Sequence, residues 1–455
     1  MHKIFAFFRQ HYALIVVFLI IVLGMHVRLL DYRWPYLRNI DSYMFYRQMD
    51  EIIQNGGVYP SKDIYVRAPE GEERSLQLYP FQHLGAYSYM FFRTFFPQLQ
   101  LWEFLIYFPA FLASLMALPM YYIGRKLYDK KAGILAAFFI VFDSSIISRT
   151  LGGDPDSDAI TLLVPLFVMA VFLATYKHIE MKGLDKRALF YTALTGIALG
   201  VWSHTWVGYW YIVWLITGTL IVRFLFDAAV TKKISAAWHN SRHHIISYAI
   251  FISIMLFGFI LPFFGPSRVL YTFTGPIEFQ AIKSEEGLQF PNVGVSVAEL
   301  QGSGNLLDIL QRANAVNISN PLVIVISPFF LLVYALIYLA YSSINKKYKT
   351  DKLTAIALWI ALPLFIVFIS LRLTAAVLLF FIALLVLMLA FFSGFANKHR
   401  FDSFVVLSIW FLGPMLATSV AVRFSILFSA PIAIGSAILF SKIINMSLGH
   451  KNLGD

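Results

Sequence analysis

Long apolar stretches constrain this chain more than any other feature of its sequence. A helix needs roughly 20 apolar residues to cross a bilayer, and about twelve windows of the chain approach that length. The sequence therefore predicts an all-α polytopic membrane protein, formed as a single transmembrane domain over residues 1–455. The predicted spans lie near 12–28, 101–123, 132–148, 159–176, 188–204, 206–226, 244–264, 321–341, 353–371, 373–392, 403–420 and 422–442.

The composition supports a membrane protein and excludes several other classes. Charged residues make up 13% of the chain, where soluble proteins carry about 25%. With 59% hydrophobic residues and a mean hydropathy of +0.70, the chain is neither a soluble enzyme nor disordered nor collagen-like. The chain has no Cys, which excludes disulfides, Cys-ligated zinc and a thiol nucleophile. The net charge of +11 is spread over many short loops, so no nucleic-acid partner is expected.

The basic residues predict an orientation, because Lys and Arg accumulate on the cytoplasmic side. With the N-terminus inside, the inner segments hold 20 Lys and Arg against 6 Asp and Glu. The outer segments 31–100, 149–158 and 265–320 hold 11 Lys and Arg against 16 Asp and Glu. We therefore expect a multi-pass protein of the plasma membrane whose two long outer loops, 31–100 and 265–320, face outward.

A dense group of carboxylates lies in the short outer segment, at Asp154, Asp156 and Asp158. Three acids within five residues repel one another unless a cation or an Arg neutralises them. Oxygen ligands select hard ions, so the segment predicts a Mg²⁺ or Mn²⁺ site. The alternative is that these residues cap the helix that begins near Asp158.

Other charged residues on the outer side are candidates for the same site. Asp41 follows the first span and Glu299 lies in the second long loop, although neither is distinctive alone. Arg149 precedes the acidic segment, and Arg423 lies at the outer end of an apolar stretch. An Arg in such a position either extends towards lipid phosphates or binds a (pyro)phosphate through its planar guanidinium.

Five segments, taken in order, resemble the catalytic subunit of oligosaccharyltransferase, of the AglB and PglB type. Each segment is weak alone, but all are predicted on the same face of the membrane. The segments are Asp41–Arg47 (DSYMFYR), Ser148–Asp158 (SRTLGGDPDSD), His204–Tyr209 (HTWVGY), Ser296–Glu299 (SVAE) and Val422–Phe424 (VRF), which Ala430-Pro431 follows.

The resemblance implies a GT-C type glycosyltransferase fold with about 12–13 spans. It implies transfer of an oligosaccharide from a polyprenyl (pyro)phosphate donor to the Asn of an Asn-x-Ser/Thr acceptor polypeptide. The site residues that it implies are Asp41, Asp156 and Asp158 as ligands of Mn²⁺ or Mg²⁺, Asp41, Asp158 and Glu299 in catalysis, and Arg149, Arg423 and Glu299 in substrate binding.

One departure from the resemblance leads to a further expectation. The chain ends at Asp455 and has no Trp-Trp-Asp run, which the family uses to read the acceptor hydroxyl. We therefore expect no C-terminal soluble domain in this chain, and an accessory subunit on the outer face. Arg372 is the alternative to Arg423 as the donor-binding Arg.

Two other functions stay open from the sequence alone. The chain could use a lipid phosphosugar donor with a different acceptor, although the SVAE segment favours a peptide. It could also be a non-catalytic membrane subunit or lipid binder derived from the family, which would have no need to keep the acidic residues.

Overall fold

The computed structural model describes residues 2–33, 35–284, 306–316, 326–343, 398–420 and 422–448. In these ranges the structure is helical, apart from one antiparallel ribbon of two short strands, β1 (Lys62–Asp63) and β2 (Glu72–Glu73). The all-α architecture predicted from the sequence is confirmed.

The first half of the chain contains nine helices of different lengths among the described residues. In chain order they are α1 (His2–Leu29), α2 (Ile40–Gln54), α3 (Pro80–Phe95), α4 (Leu101–Ser114), α5 (Ala117–Leu127), α6 (Lys130–Val141), α7 (Ser144–Ser148), α8 (Asp158–Lys182) and α9 (Lys186–Ser203).

The second half continues in the same way. It contains a 3₁₀ turn (Val207–Tyr209), α10 (Trp210–Thr231), α11 (Ile234–Met255), a π-helical turn (Leu256–Ile260), α12 (Leu261–Ser284), α13 (Leu306–Arg312), α14 (Pro328–Ser343), α15 (Lys398–Val420), a second 3₁₀ segment (Val422–Phe428) and α16 (Ser429–Ser447).

Among the described residues, 7 helical segments are long and apolar enough to cross a membrane, and each overlaps a predicted span. Helices α9, α14 and α15 also overlap predicted spans, although α14 is shorter than the others. The predicted spans 353–371 and 373–392 lie outside the described residues. The 7 segments are His11–Leu29, Leu101–Leu127, Lys130–Ser148, Asp158–Lys182, Val207–Ala228, Ile234–Gly275 and Arg423–Ser447.

Glycine allows two neighbouring helices to approach closely where α5 turns back into α6. A Cβ added to Gly133 would lie 2.5 Å from the Tyr121 carbonyl oxygen, and one on Gly124 would lie 2.9 Å from the Ala132 carbonyl oxygen. Small residues at such crossings let backbones pack without a gap. The turn itself is fixed by Asp129, whose side chain accepts a hydrogen bond from the Ala132 amide at 2.7 Å.

Buried charges join three helices at the end of α8 that is remote from Asp158. Lys177 of α8 lies 3.2 Å from Asp402 of α15, and Arg223 of α10 contacts the other oxygen of that carboxylate. Arg223 also pairs with Asp227 at 3.2 Å. Because each charge has a partner of opposite sign, the network can remain buried and fix the relative positions of α8, α10 and α15.

The long loop 31–100 is folded, with α2, the ribbon and α3 in sequence. Four side chains form a closed ion-pair ring that ties α2 to the ribbon. Arg74 lies 2.5 Å from Glu51 and 2.8 Å from Asp63, while Arg47 lies 2.7 Å from each of the same two carboxylates. The loop therefore presents a defined surface.

The predicted second loop, 265–320, begins with a helix. Helix α12 runs to Ser284 after a break at Gly265, where φ is +78°. Glycine adopts this backbone conformation without strain. Pro266 follows in the first turn of the new helical segment, where its missing amide costs no hydrogen bond. The predicted second outer loop therefore begins with a helical segment that runs to Ser284, just as the first outer loop contains α2 and α3.

Candidate active site

The segment between α7 and α8, residues 149–157, is termed the site loop. It is attached to α1 and α4 by buried hydrogen bonds. The Nε of Arg28 donates to the Thr150 hydroxyl at 2.9 Å, and the Gly152 amide donates to the Arg28 carbonyl at 2.9 Å. The Gly153 amide donates to the Ile106 carbonyl of α4 at 3.0 Å. These contacts fix the backbone that leads into the acidic residues.

The beginning of α2 is attached to the same loop, which brings Asp41 to the acidic residues. The Arg38 amide donates to the Gly153 carbonyl at 2.7 Å, and its Nε donates to the Gly152 carbonyl at 2.9 Å. Ser42 donates to a carboxylate oxygen of Asp154 at 2.8 Å. Asp41 immediately precedes Ser42 in the first turn of α2 and is exposed.

Glycine is required at one position of this attachment. Gly153 has a φ of +80°, and a Cβ there would lie 2.8 Å from the ring of Tyr32. A larger residue would strain the backbone and push Tyr32 away at the point where α2 meets the site loop. The backbone conformation and the contact with Tyr32 therefore explain why the segment Ser148–Asp158 has a glycine at position 153.

The carboxylates of the site influence one another electrostatically. Burial raises the pKa of Asp156, and the charges of Asp158 and Asp41 raise it further. Burial also raises the pKa of Asp154; the hydrogen bond from Ser42 opposes this effect, while the nearby Asp156 and Asp41 charges add to it. The charges of Asp41, Asp154, Asp156 and Asp158 therefore disfavour one another.

A hard divalent cation fits the chemistry of this group. All the donor atoms are carboxylate oxygens, and the mutual repulsion of Asp41, Asp156 and Asp158 would be relieved by positive charge. In the described ranges the side chains are not gathered into a group of three or more that could hold a metal. Cation binding would therefore require these side chains to move together.

The alternative assignment of the acidic residues as a helix cap does not describe this loop. Helix α8 begins at Asp158, and Ser157 is its N-cap without a side-chain capping hydrogen bond. Ser157 instead donates its backbone amide to Asp156. The acidic side chains of the site loop therefore do not serve as the N-cap of α8.

A small cavity beside the site loop brings three charged side chains together. Arg149, Asp158 and Arg423 all line it, and Trp206 and Phe424 form an aromatic wall. Arg149 lies 3.4 Å from Asp158, while Arg423 forms no ion pair with a described residue. Arg423 is therefore able to receive an anion next to the acidic residues.

The segment His204–Tyr209 attaches the part of the first long loop that lies between the ribbon and α3. The Leu78 amide donates to Nδ1 of His204 at 3.1 Å, and Nε2 of His204 lies 3.2 Å from the Phe259 carbonyl oxygen. His204 therefore carries its proton on Nε2. Trp206 lies two residues further on and contacts Phe424, with ring centroids 5.8 Å apart. The segment thus joins the first loop to the cavity that contains Arg423.

Sequence reasoning missed one residue of the site. Arg28 is the only Lys or Arg within the first predicted span, 12–28, and that isolated charge was the available signal. Asp154, which the sequence placed in the acidic group but to which the family resemblance gave no role, binds Asn39 and Ser42. Glu299 and Arg372 lie outside the described residues.

The comparison with protein families decides the identity of this transmembrane unit. Residues 11–287 match the family model described as "Oligosaccharyl transferase STT3, N-terminal". The chain belongs to the oligosaccharyl transferase STT3 family. The match covers α1 to α12 and thus includes Asp41, the site loop and the segment His204–Tyr209. The family resemblance expected from the sequence is confirmed.

Known proteins are similar to this STT3 family chain over part of their length. The dolichyl-phosphooligosaccharide-protein glycotransferase of Methanococcus voltae is 20% identical over 293 residues, which are 58% of this chain and 31% of the relative. The chain thus matches about a third of that protein's length.

Solved structures confirm the fold. The Archaeoglobus fulgidus oligosaccharyltransferase in complex with Zn and sulfate is 19% identical, with a TM-score of 0.57 over 96% of this chain and 50% of its own. The AglB of the same organism, in complex with an inhibitory peptide and a dolichol-phosphate, is 18% identical, with a TM-score of 0.55 over 98% of this chain and 53% of its own. The predicted GT-C type polytopic membrane fold is confirmed.

Proposed function

We propose that this STT3 family chain transfers an oligosaccharide from a polyprenyl (pyro)phosphate carrier to the Asn of an Asn-x-Ser/Thr acceptor polypeptide. The observation that carries the proposal is the convergence of Asp41, the site loop and Arg423 from distant parts of the sequence. The ligands in the Archaeoglobus fulgidus AglB complex, an inhibitory peptide and a dolichol-phosphate, are of the two classes that such a site would take.

The acidic residues would hold a divalent cation. In this proposal Asp41, Asp156 and Asp158 are the ligands of Mn²⁺ or Mg²⁺. The ion, when bound, would supply positive charge against the developing charge on the leaving (pyro)phosphate. Arg149 would hold Asp158 in place, which the 3.4 Å contact between them supports.

The acceptor Asn needs activation because its amide nitrogen lone pair is delocalised into the carbonyl. Carboxylates that accept the N–H hydrogen bonds of the amide could turn it out of conjugation, and Asp41 and Glu299 are the candidates. Asp41 is exposed at the beginning of α2, so a substrate can reach it.

The donor would be bound on the other side of the acidic residues. Arg423 lines the cavity that also contains Asp158, and a guanidinium binds phosphate oxygens through two parallel hydrogen bonds. The distribution of Lys and Arg supports a site on the extracytoplasmic face of the plasma membrane. An accessory subunit on this face is also part of the proposal, and the exposed Ile64, Tyr65 and Leu76 are the surface that it would cover.

The test is an assay with the whole chain in membranes. A fluorescent peptide with an Asn-x-Thr sequon and crude lipid-linked oligosaccharides are supplied, and glycopeptide is detected by its mobility shift and mass. We expect the glycosylated peptide from the wild-type chain and none from Asp41→Asn. Asp50→Asn is the matched control, because Asp50 lies on the same helix and, among the described residues, accepts a side-chain hydrogen bond only from Gln54, at 2.6 Å.

Two outcomes would contradict the proposal. Sugar transfer to an acceptor other than the peptide would indicate a lipid-phosphosugar transferase. Binding of the donor without any transfer, in the presence of Mn²⁺ and of native membranes that supply partner subunits, would indicate a non-catalytic lipid binder.

A further inference from the structure

A large apolar groove lies between the end of α1, α3 and the first turns of α4. Its volume is about 570 Å³. Binding pockets for small ligands commonly have volumes of roughly 300–1,000 Å³. The groove has no role in the transfer reaction proposed above, and it shares no lining residue with the cavity of Arg423. Residues that line it include Met25, Ser88, Phe92, Phe104, Tyr107 and Phe111.

The groove extends into one leaflet of the membrane. Met25 belongs to the span His11–Leu29, and the aromatic residues of α4 belong to the span Leu101–Leu127. Phe111 is ten residues beyond Leu101, so at 1.5 Å per residue it lies about 15 Å deeper. That depth is half of the roughly 30 Å hydrocarbon layer. The groove therefore runs from the surface that carries the first long loop to the middle of the membrane.

Helix α3 carries an exposed apolar face beside the groove. Tyr87, Phe91 and Phe95 are 51%, 61% and 64% exposed and follow one another at helical spacing. On its other face α3 is buried against the rest of the loop, through Phe81 and Tyr89 among others. An amphipathic helix of this kind lies in the membrane interface with its apolar face in lipid.

The polarity of the groove changes along its length. Gln98 and Glu103 lie at the loop end, and Glu103 accepts a hydrogen bond from the Gln100 amide at 2.8 Å. The deeper wall is aromatic, with the rings of Phe104 and Phe108 5.3 Å apart. An amphiphile with its polar head at the surface and its chain along the aromatic wall would match both ends.

We propose that this groove binds one alkyl chain of a membrane lipid from the leaflet on the loop side. A bulk lipid fits better than the polyprenyl donor, because neither Arg nor Lys is among the lining residues and a donor (pyro)phosphate would require positive charge. The negative charge of Glu103 would also disfavour such a donor at this end of the groove.

The position of the groove gives the lipid a structural effect on the site. Helix α4 forms one wall of the groove, and its Ile106 carbonyl accepts the hydrogen bond from Gly153 of the site loop. A chain that fills the groove therefore packs against the helix that positions the acidic residues. The lipid acts as part of the packing of α1, α3 and α4.

The experiment uses the full chain in phosphatidylcholine vesicles that contain a phosphatidylcholine with a photoreactive diazirine on one acyl chain. We expect one set of crosslinked peptides whose position follows the depth of the diazirine. A diazirine near the head group should label residues 98–103, and one at the chain end should label residues 107–111. This order is measured on the wild-type chain, so it does not depend on the folding of a variant. Crosslinks without this order would overturn the proposal.

A variant and a matched control test specificity. Ser88→Trp would fill the groove and abolish the crosslinks, whereas Leu84→Trp places the same side chain at an exposed position of α3 outside the lining and should retain them. Equal labelling in Ser88→Trp would show that lipid only surrounds the surface.

Loss of labelling on addition of polyprenyl phosphate would assign the groove to the donor, and loss in native membranes alone would assign it to a protein partner. Each of these three outcomes contradicts the proposal.

Discussion

The Nε of Arg28 donates a hydrogen bond to the Thr150 hydroxyl over 2.9 Å, although 122 residues separate them in the sequence. Arg28 is fully buried at the end of α1, and its Nη1 donates to the Gly24 carbonyl at 3.0 Å. The Thr150 hydroxyl donates in turn to the Ile146 carbonyl at 2.7 Å. This chain of hydrogen bonds connects the first span to the site loop and so to the acidic residues.

The first prediction concerns this bond. Thr150→Val keeps the shape of the side chain but leaves the buried Nε of Arg28 without an acceptor, which costs about 1–3 kcal/mol of stability. Thermal unfolding of the purified chain would measure the loss. Glycosyl transfer should fall as well, because the site loop is less firmly held.

A double-mutant cycle separates the bond from general damage. In the variant that combines Arg28→Met with Thr150→Val, both partners are apolar and no buried donor is left. We expect it to be more stable than the sum of the two single losses predicts, by about 1 kcal/mol. Strict additivity would mean that the two side chains do not interact.

The sequence predicts some of this structure well and some of it not at all. The spans follow from hydropathy, because a bilayer imposes its thickness on every crossing helix. The hydrogen bond from Ser42 to Asp154 joins residues that are 112 positions apart in the sequence. A contact of this kind cannot be predicted from the residues that surround either one. The predicted span 244–264 ends directly before the break at Gly265, whereas the helical segment that follows to Ser284 was not predicted, because Arg268, Glu278 and Lys283 interrupt its apolar residues.

The second prediction concerns the cation. Chelation with EDTA should abolish glycosyl transfer, and Mn²⁺ or Mg²⁺ should restore it, because Asp41, Asp156 and Asp158 repel one another when unneutralised. Asp156→Asn should raise the cation concentration needed for half-maximal activity by at least about tenfold. Full activity in the presence of chelator would remove the cation from the proposal.

The third prediction concerns the buried charges of α8, α10 and α15. Asp402→Ala leaves Arg223 and Lys177 without their shared partner, and breaking a buried pair costs about 3–5 kcal/mol. The midpoint of thermal unfolding should fall accordingly. Asp308→Ala is the control, because it breaks an exposed pair with Arg312 that is worth under about 1 kcal/mol. Equal effects of the two variants would contradict the structural role of the network.

The fourth prediction concerns the pH dependence of the first long loop. The hydrogen bond from Arg47 is the main reason that the pKa of Asp63 lies well below its usual value. A lowered pKa in the folded state stabilises the protein above the unfolded pKa of about 3.9 and loses that effect as the pH falls further. Between the two pKa values each pH unit removes about 1.4 kcal/mol.

Limited proteolysis of the loop at decreasing pH would measure this loss. The wild-type chain should become more susceptible between residues 55 and 79 once the pH falls below about 3.9. Asp63→Asn should be susceptible already at neutral pH and should change little with acid, because the group that titrates is missing. Pepsin is used for the acidic samples and a protease that is active at neutral pH for the neutral ones, with a folded soluble protein as the control for the pH dependence of each protease.

The last prediction distinguishes Arg423 from Arg372. Arg423 lines the cavity of Asp158 and Trp206 and forms no ion pair with a described residue, so a donor phosphate can be its partner. A hydrogen bond to a charged group contributes about 1.5–3 kcal/mol, so Arg423→Ala should raise the donor concentration needed for half-maximal transfer by about 10- to 100-fold. The half-maximal peptide concentration should be nearly unchanged, because the peptide is bound by other residues. Arg312→Ala, which removes an exposed Arg, should change neither value. If Arg372→Ala raises the donor requirement and Arg423→Ala does not, then the donor is bound by Arg372, and the cavity beside Asp158 has another purpose.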